Sequence, residues 1–128
     1  MMSDTAEIEN LVQEYIRILH EGDVEASKQM FLPSCDLTMP NDDGSITHMT
    51  YDQYHDLIAS RTSPKDNGYP RYGSMLSIDQ SGPRTAFVKV DCAVQPRYFV
   101  DYLALVKTDD AEWRIAAKVY YVAKTEDQ

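Results

Sequence analysis

The stretch Tyr98–Lys124, YFVDYLALVKTDDAEWRIAAKVYYVAK, constrains the fold more than any other part of the chain. It holds two runs rich in aromatic and branched residues, Tyr98–Lys107 and Trp113–Val122, separated by polar Thr108–Ala111. That is hairpin spacing. With a loop of those four residues, Lys107 pairs with Glu112, and Asp101 lies directly opposite Lys118. One face then carries Tyr98, Val100, Tyr102, Ala104, Val106, Trp113, Ile115, Ala117, Val119 and Tyr121, all without charge. The other carries Phe99, Leu103, Leu105, Ala116 and Tyr120 with the charges of Asp101, Lys118 and Arg114. A ribbon apolar on both faces must be covered twice. The expectation is core on one side and the partner subunit of a homodimer on the other. Asp101 and Lys118, mid-strand in a region expected to be buried, are expected to pair, because a lone buried charge is costly.

The chain in front of the ribbon reads as helices, short strands and turns. Asp4 with Glu7 has the form of a capping box, followed by Ile8, Leu11, Val12, Tyr15, Ile18 and Leu19 at helical spacing. Gly22 ends that helix, and Asp23 caps a second over Val24–Phe31, closed by Pro33. Cys35–Met39 and Ser45–Met49 read as strands about the turn Pro40–Gly44. Thr50 and Gln53 box the start of a helix that runs to about Arg61, with Tyr51, Tyr54, Leu57 and Ile58 facing inward. Thr62–Tyr72 is an exposed loop, and Ser74–Gln80 and Arg84–Gln95 are strands. Helices first and long antiparallel strands last make the class α+β, in a single domain over 1–128.

Charge narrows the partners. Asp and Glu outnumber Lys and Arg by 21 to 12, for a net charge of −9, and the basic residues form no block. Neither nucleic acid nor an anionic membrane surface would attract such a chain. The acidic start MMSDTAEIEN is no signal peptide and no run is long enough to span a membrane, so a cytoplasmic location is expected. Cys35 and Cys92 read as reduced, buried thiols. His48 and His55 match no ligand spacing and read as solvated surface side chains, so no metal is expected. Asp42-Asp43-Gly44 lacks the further ligands of a calcium loop and reads as a turn. Without a phosphate-binding glycine loop or serine nucleophile motif, no cofactor is expected either.

Several segments together carry a resemblance. Tyr15-Ile16, Glu21-Gly22-Asp23 and Met30-Phe31 resemble the opening of the nuclear-transport-factor-2-like superfamily. Asp101-Tyr102-Leu103, Leu105, Lys107, Trp113, Ile115, Lys118 and Tyr120 resemble its putative lumazine-binding branch, close to the SnoaL-like and ketosteroid-isomerase-like groups. The resemblance implies a cone-shaped fold of the cystatin-like α+β roll type. In it a strongly curved antiparallel or mixed sheet wraps round the N-terminal helices and leaves an apolar pocket. By position, that pocket is lined by Tyr15, Leu19, Phe31, Met39, Tyr54, Ile58, Met75, Phe99, Asp101, Leu103, Lys118 and Tyr120.

Tyr15 and Asp101 match the positions from which the isomerases of this superfamily donate hydrogen bonds to an oxyanion, which makes them the catalytic candidates. The general base of that family falls at Met39, which cannot move a proton. A second reading makes Tyr15 a core residue with a satisfied hydroxyl and Asp101 the partner of Lys118. Three functions follow: a dimeric domain binding a small aromatic or polycyclic molecule, a cofactor-free lyase or isomerase of the polyketide-cyclase or ketosteroid-isomerase type, and a non-enzymatic dimerisation domain.

Overall fold

Ser3 opens the first helix, α1 (Asp4–Glu21), by accepting the Ala6 N–H with its hydroxyl. The cap therefore lies one residue before the expected Asp4. Asp4 instead enters the first turn and binds Lys107 at 3.2 Å and Gln80 at 2.9 Å, tying the helix to the sheet. Gly22 ends the helix in the left-handed region (φ 68°), where its N–H bonds the Ile18 carbonyl. The apolar stripe from Ile8 to Leu19 is buried.

This computed structural model describes residues 3–126; 1–2 and 127–128, the ends of the expected 1–128 domain, lie outside the described residues. After α1 come α2 (Val24–Met30), β1 (Phe31–Pro40), β2 (Ile46–Thr50), α3 (Tyr51–Ser60), β3 (Gly73–Gln80), β4 (Thr85–Val94), β5 (Arg97–Lys107) and β6 (Trp113–Thr125). Asp23 caps α2, and the Thr50–Gln53 capping box opens α3, both as expected. Pro33 does not close α2; it lies within β1, a longer strand than expected. The six strands form one mixed, unclosed sheet in the order β2-β1-β6-β5-β4-β3, in which only β1 and β6 run parallel. Helix α1 lies against β3 and β4, while α2 and α3 pack on β1. The architecture is the α+β cystatin-like roll expected. Gly73 lets α1 and β4 approach: a side chain there would meet the Asp91 carbonyl at 2.7 Å and Ile16 at 3.0 Å.

The ribbon departs from its expected register. Lys107 pairs with Trp113, not Glu112, so the loop is 108–112. Asp110 Oδ1 accepts the Glu112 N–H, Thr108 N–H bonds the Glu112 carbonyl, and Ala111 is left-handed (φ 65°), which draws Glu112 into the turn. A second one-residue shift follows: Leu105 faces Ile115 but Ala104 faces Ala117, leaving Ala116 as a bulge. The two shifts restore the original facing beyond the bulge and reverse it before the bulge. Trp113 and Ile115 therefore point into the core, 5% and 0% exposed, and Arg114 joins the outer face. Asp101 lies opposite Tyr120, and Lys118 opposite Leu103. The two charges are diagonal neighbours on the inner face.

Candidate functional site

Alternation along β5 sends Phe99, Asp101, Leu103 and Leu105 inward. The corresponding inward positions of β6 are Lys118 and Tyr120, and of β4 Val88, Val90 and Cys92. The buried tyrosine of α1 and α3's Tyr54 close over them. These elements gather one polar cluster inside an apolar shell. Asp101 Oδ2 accepts a hydrogen bond from the Tyr15 hydroxyl at 2.5 Å and one from the Cys92 thiol at 3.1 Å. Lys118 Nζ stands 3.6 Å from the same oxygen. The ammonium is also caged by the rings of Tyr15, Tyr54 and Tyr120, with centroids at 5.4, 4.9 and 4.7 Å.

The groups in the cluster are strongly perturbed. Burial pushes the Tyr15 hydroxyl well above its ordinary pKa, and the Asp101 charge adds to this. Burial and then Asp101 do the same to the Cys92 thiol. For Lys118 burial opposes the charge, but Asp101 and the surrounding groups outweigh it and hold the ammonium above the ordinary lysine value. With Lys118 charged and three donors converging on one oxygen, Asp101 acts as an acceptor.

Asp101, Lys118, Tyr54, Tyr120 and Cys92 form the inner part of a cavity of about 150 Å³, or about 630 Å³ of empty space with its open mouth included. Leu19, Met39, Met49, Leu57, Val94 and Phe99 supply its apolar wall, and Thr47, Arg61 and Arg97 border it too. Two buried polar atoms of these lining residues have no hydrogen-bond partner among the described residues: Asp101 Oδ1 and the Tyr54 hydroxyl. Burial pulls the Arg61 guanidinium below its ordinary pKa, against Tyr54, and the charge of Arg97 pushes the same way.

Of the pocket residues expected, Leu19, Met39, Tyr54, Phe99, Asp101, Lys118 and Tyr120 border this cavity. Tyr15 stands behind it, its hydroxyl turned to Asp101. Phe31, Ile58 and Leu103 belong to the packed core, and Met75, on β3, packs against that core. The expectation missed Thr47, Met49, Arg61, Cys92, Val94 and Arg97 as wall residues, and placed Leu57 only on the inner face of α3. Strand alternation was the available signal for two: Arg97 shares a parity with Phe99 and Asp101, and Val94 with Cys92.

His55 differs from its reading as a surface group, and His48 does not. His55 is 2% exposed: its Nδ1 donates to the Tyr51 carbonyl at 2.8 Å, so its Nε2 is left to accept from the Ser27 hydroxyl at 2.8 Å. The apolar contacts of its ring with Phe31, Tyr51 and Tyr54 explain the burial. His48 is exposed and pairs with Asp36 at 3.3 Å. Cys35 and Cys92 are buried free thiols. Among the described residues no three His, Cys, Asp or Glu side chains are grouped to hold a metal, and no helix is long and apolar enough to cross a membrane.

A family model described as "Putative lumazine-binding" matches residues 3–121. Among solved structures, an NTF-2 like protein of unknown function from Silicibacter pomeroyi is similar over 94% of this chain and 99% of its own, with TM-score 0.76 and 19% identity. A ketosteroid isomerase-like protein from Erwinia carotovora atroseptica is similar over 97% and 99%, with TM-score 0.73 and 15% identity. A protein described as a putative scytalone dehydratase, from Novosphingobium aromaticivorans, is similar over 98% and 87%, with TM-score 0.63 and 16% identity. At such identities the likeness is one of fold. No curated protein matches the chain.

Proposed function

Since the chain belongs to the family described as "Putative lumazine-binding", we propose that it is a small-molecule-binding domain whose ligand is a planar ring compound held in the cavity over Asp101 and Lys118. The observation that carries this reading is the pair of unpartnered buried polar atoms, Asp101 Oδ1 and the Tyr54 hydroxyl, on two residues that line the hollow beside its apolar side chains. A few convergent polar groups in an apolar cavity are what fixes a small ligand's orientation. An unmet acceptor and an unmet hydroxyl suit a ring with its own donor and acceptor, as the pyrimidine-dione edge of a lumazine has. The hollow is small. A 150 Å³ apolar space holds a body of about one aromatic ring, so a larger, polycyclic ligand must extend into the mouth.

Binding is favoured over the lyase or isomerase reading by how the donors are used. The Tyr15 hydroxyl is spent on Asp101, and Asp101 receives donors where an oxyanion site would offer one. Met39, in the position where the resemblance sets the base, lines the cavity without a group that can take a proton.

The homodimer of this reading uses the outer face of the sheet, where Phe87, Tyr102, Val119 and Tyr121 stand 41–49% exposed and Phe87 stacks on Tyr102 with centroids 5.5 Å apart. Ile115, expected at its centre, is buried in the core and drops out. The reading keeps the chain in the cytoplasm, where the unpaired thiols stay reduced.

The test is thermal denaturation with millimolar lumazine and one-ring and two-ring heteroaromatics, with Leu57→Trp to fill the mouth. The reading expects a rise in Tm for at least one compound that Leu57→Trp abolishes. No shift with any of them, or an equal shift in the variant, overturns it.

A further inference from the structure

The cavity carries a charge balance opposite to that of the protein. The chain as a whole has a net charge of −9. Its cavity wall holds three cations, Arg61, Arg97 and Lys118, against the single carboxylate of Asp101. Lys118 is matched by Asp101. The two guanidiniums are not matched: among the described residues neither makes an ion pair or a side-chain hydrogen bond, although acids are abundant elsewhere on the surface. Arg97 instead lies over the Phe99 ring, 5.4 Å from its centroid. Arg61 is mostly buried at the end of α3, where it loses hydration without gaining a partner. Arginine is always charged and presents a planar fork of donors shaped for an oxyanion. Two such forks on one cavity, Arg61 partly buried without an acceptor and Arg97 open to solvent at its border, describe a place for an anionic group.

From this arrangement we infer that the ligand is a small aromatic carboxylate, its acid group held by Arg61 and Arg97 and its ring bearing a hydroxyl or N–H that donates to Asp101 Oδ1. The inference rests on the proposed binding function and adds the charge and polarity of the ligand. The unmet acceptor at Asp101 sets the donor end, the two guanidiniums set the acid end, and Met39, Met49 and Phe99 pack the ring between them. Neutral ring compounds would leave both guanidiniums unpaired. Aromatic cations would be repelled by the two unmatched guanidiniums.

The experiment is isothermal calorimetry with matched probes: 4-hydroxybenzoate, (4-hydroxyphenyl)acetate and 3-(4-hydroxyphenyl)propanoate, the primary amide of each, and 3-phenylpropanoate. The expected result is that at least one acid binds ten-fold or more tightly than its amide. That advantage should shrink as salt is raised from 50 to 500 mM and collapse in Arg61→Gln, where an acid and its amide should bind alike. Loss of the ring hydroxyl should weaken binding several-fold, because Asp101 Oδ1 is then left unmet. If Arg61→Gln does not fold, the exposed Arg97→Gln and the salt dependence carry the test. Amides that bind as tightly as their acids would overturn the anion assignment while leaving a ring-binding cavity. No binding by acids or amides, together with no shift from neutral heteroaromatics, would overturn both.

Discussion

Asp101 and Lys118 meet diagonally across the last two strands, 3.6 Å apart and 1% and 5% exposed, with a tyrosine ring on three sides of the ammonium. Neither charge is cheap to bury alone. Together they give the cavity a polar floor, and the diagonal is possible only because Ala116 bulges out of the ladder.

Lys118→Met leaves Asp101 with two neutral donors and no cation. It should cost on the order of 3–5 kcal/mol in unfolding free energy, and Asp101→Leu a similar amount. The double variant should cost much less than the sum. Urea unfolding of the four proteins measures the coupling, and strict additivity would show that the pair does not interact.

Alkaline pH should unfold the protein through the same cluster. The Cys92 thiol, the Tyr15 hydroxyl and the Lys118 ammonium all have raised pKa values, the first two through burial and then Asp101, the last through Asp101 overcoming burial. Their stabilisation is complete below the unfolded values, about 8.5 for Cys and about 10 for Tyr and Lys. It is lost as pH rises through the folded ones. Stability against urea should begin to decline near pH 9 and fall steeply above about 10. The Asp101→Leu, Lys118→Met double variant should show a shallower fall. An equal slope in both would place the alkaline transition elsewhere.

His55 should resist protonation. Burial lowers its pKa, against its hydrogen bond to the Tyr51 carbonyl. A lowered histidine contributes stability that is present above about pH 6.5 and lost as pH falls through the folded value. An NMR titration should find its midpoint below 6.5, with the neutral ring protonated on Nδ1; a midpoint at or above 6.5 would contradict the buried Ser27–His55–Tyr51 arrangement.

Much of the fold is legible because its signals are local. Gly22-Asp23 specifies one helix end and the next helix start, and Thr50 with Gln53 specifies another, each within four residues. The ribbon's inner face was legible only in part. Ala116-Ala117 can bulge at little cost, and every alternative register of so apolar a stretch leaves an apolar face inward. Nothing local therefore reports that Trp113 and Ile115 turn to the core. Of the cavity wall, the strand-borne Asp101, Lys118 and Tyr120 were readable from alternation. Arg61 was not, because its role depends on a side chain just past the end of α3 reaching a cavity walled by β5 and β6, a long-range fact.

The outer face should hold two copies together. Tyr102→Lys with Val119→Glu places charges in the middle of the apolar patch and should convert a dimer to a monomer in light scattering at micromolar concentration. A wild-type chain already monomeric there would end the dimer proposal.

The most direct test of the central claim, a ring-binding cavity over Asp101 and Lys118, uses the methionine methyls. Met39 and Met49 line the cavity, whereas Met30 and Met75 pack elsewhere against the core. With methyl-¹³C methionine, saturating 3-(4-hydroxyphenyl)propanoate should move the Met39 and Met49 resonances and leave Met30 and Met75 in place. Shifts confined to Met30 or Met75, or no shift at millimolar ligand from this or any other ring compound, would contradict the account.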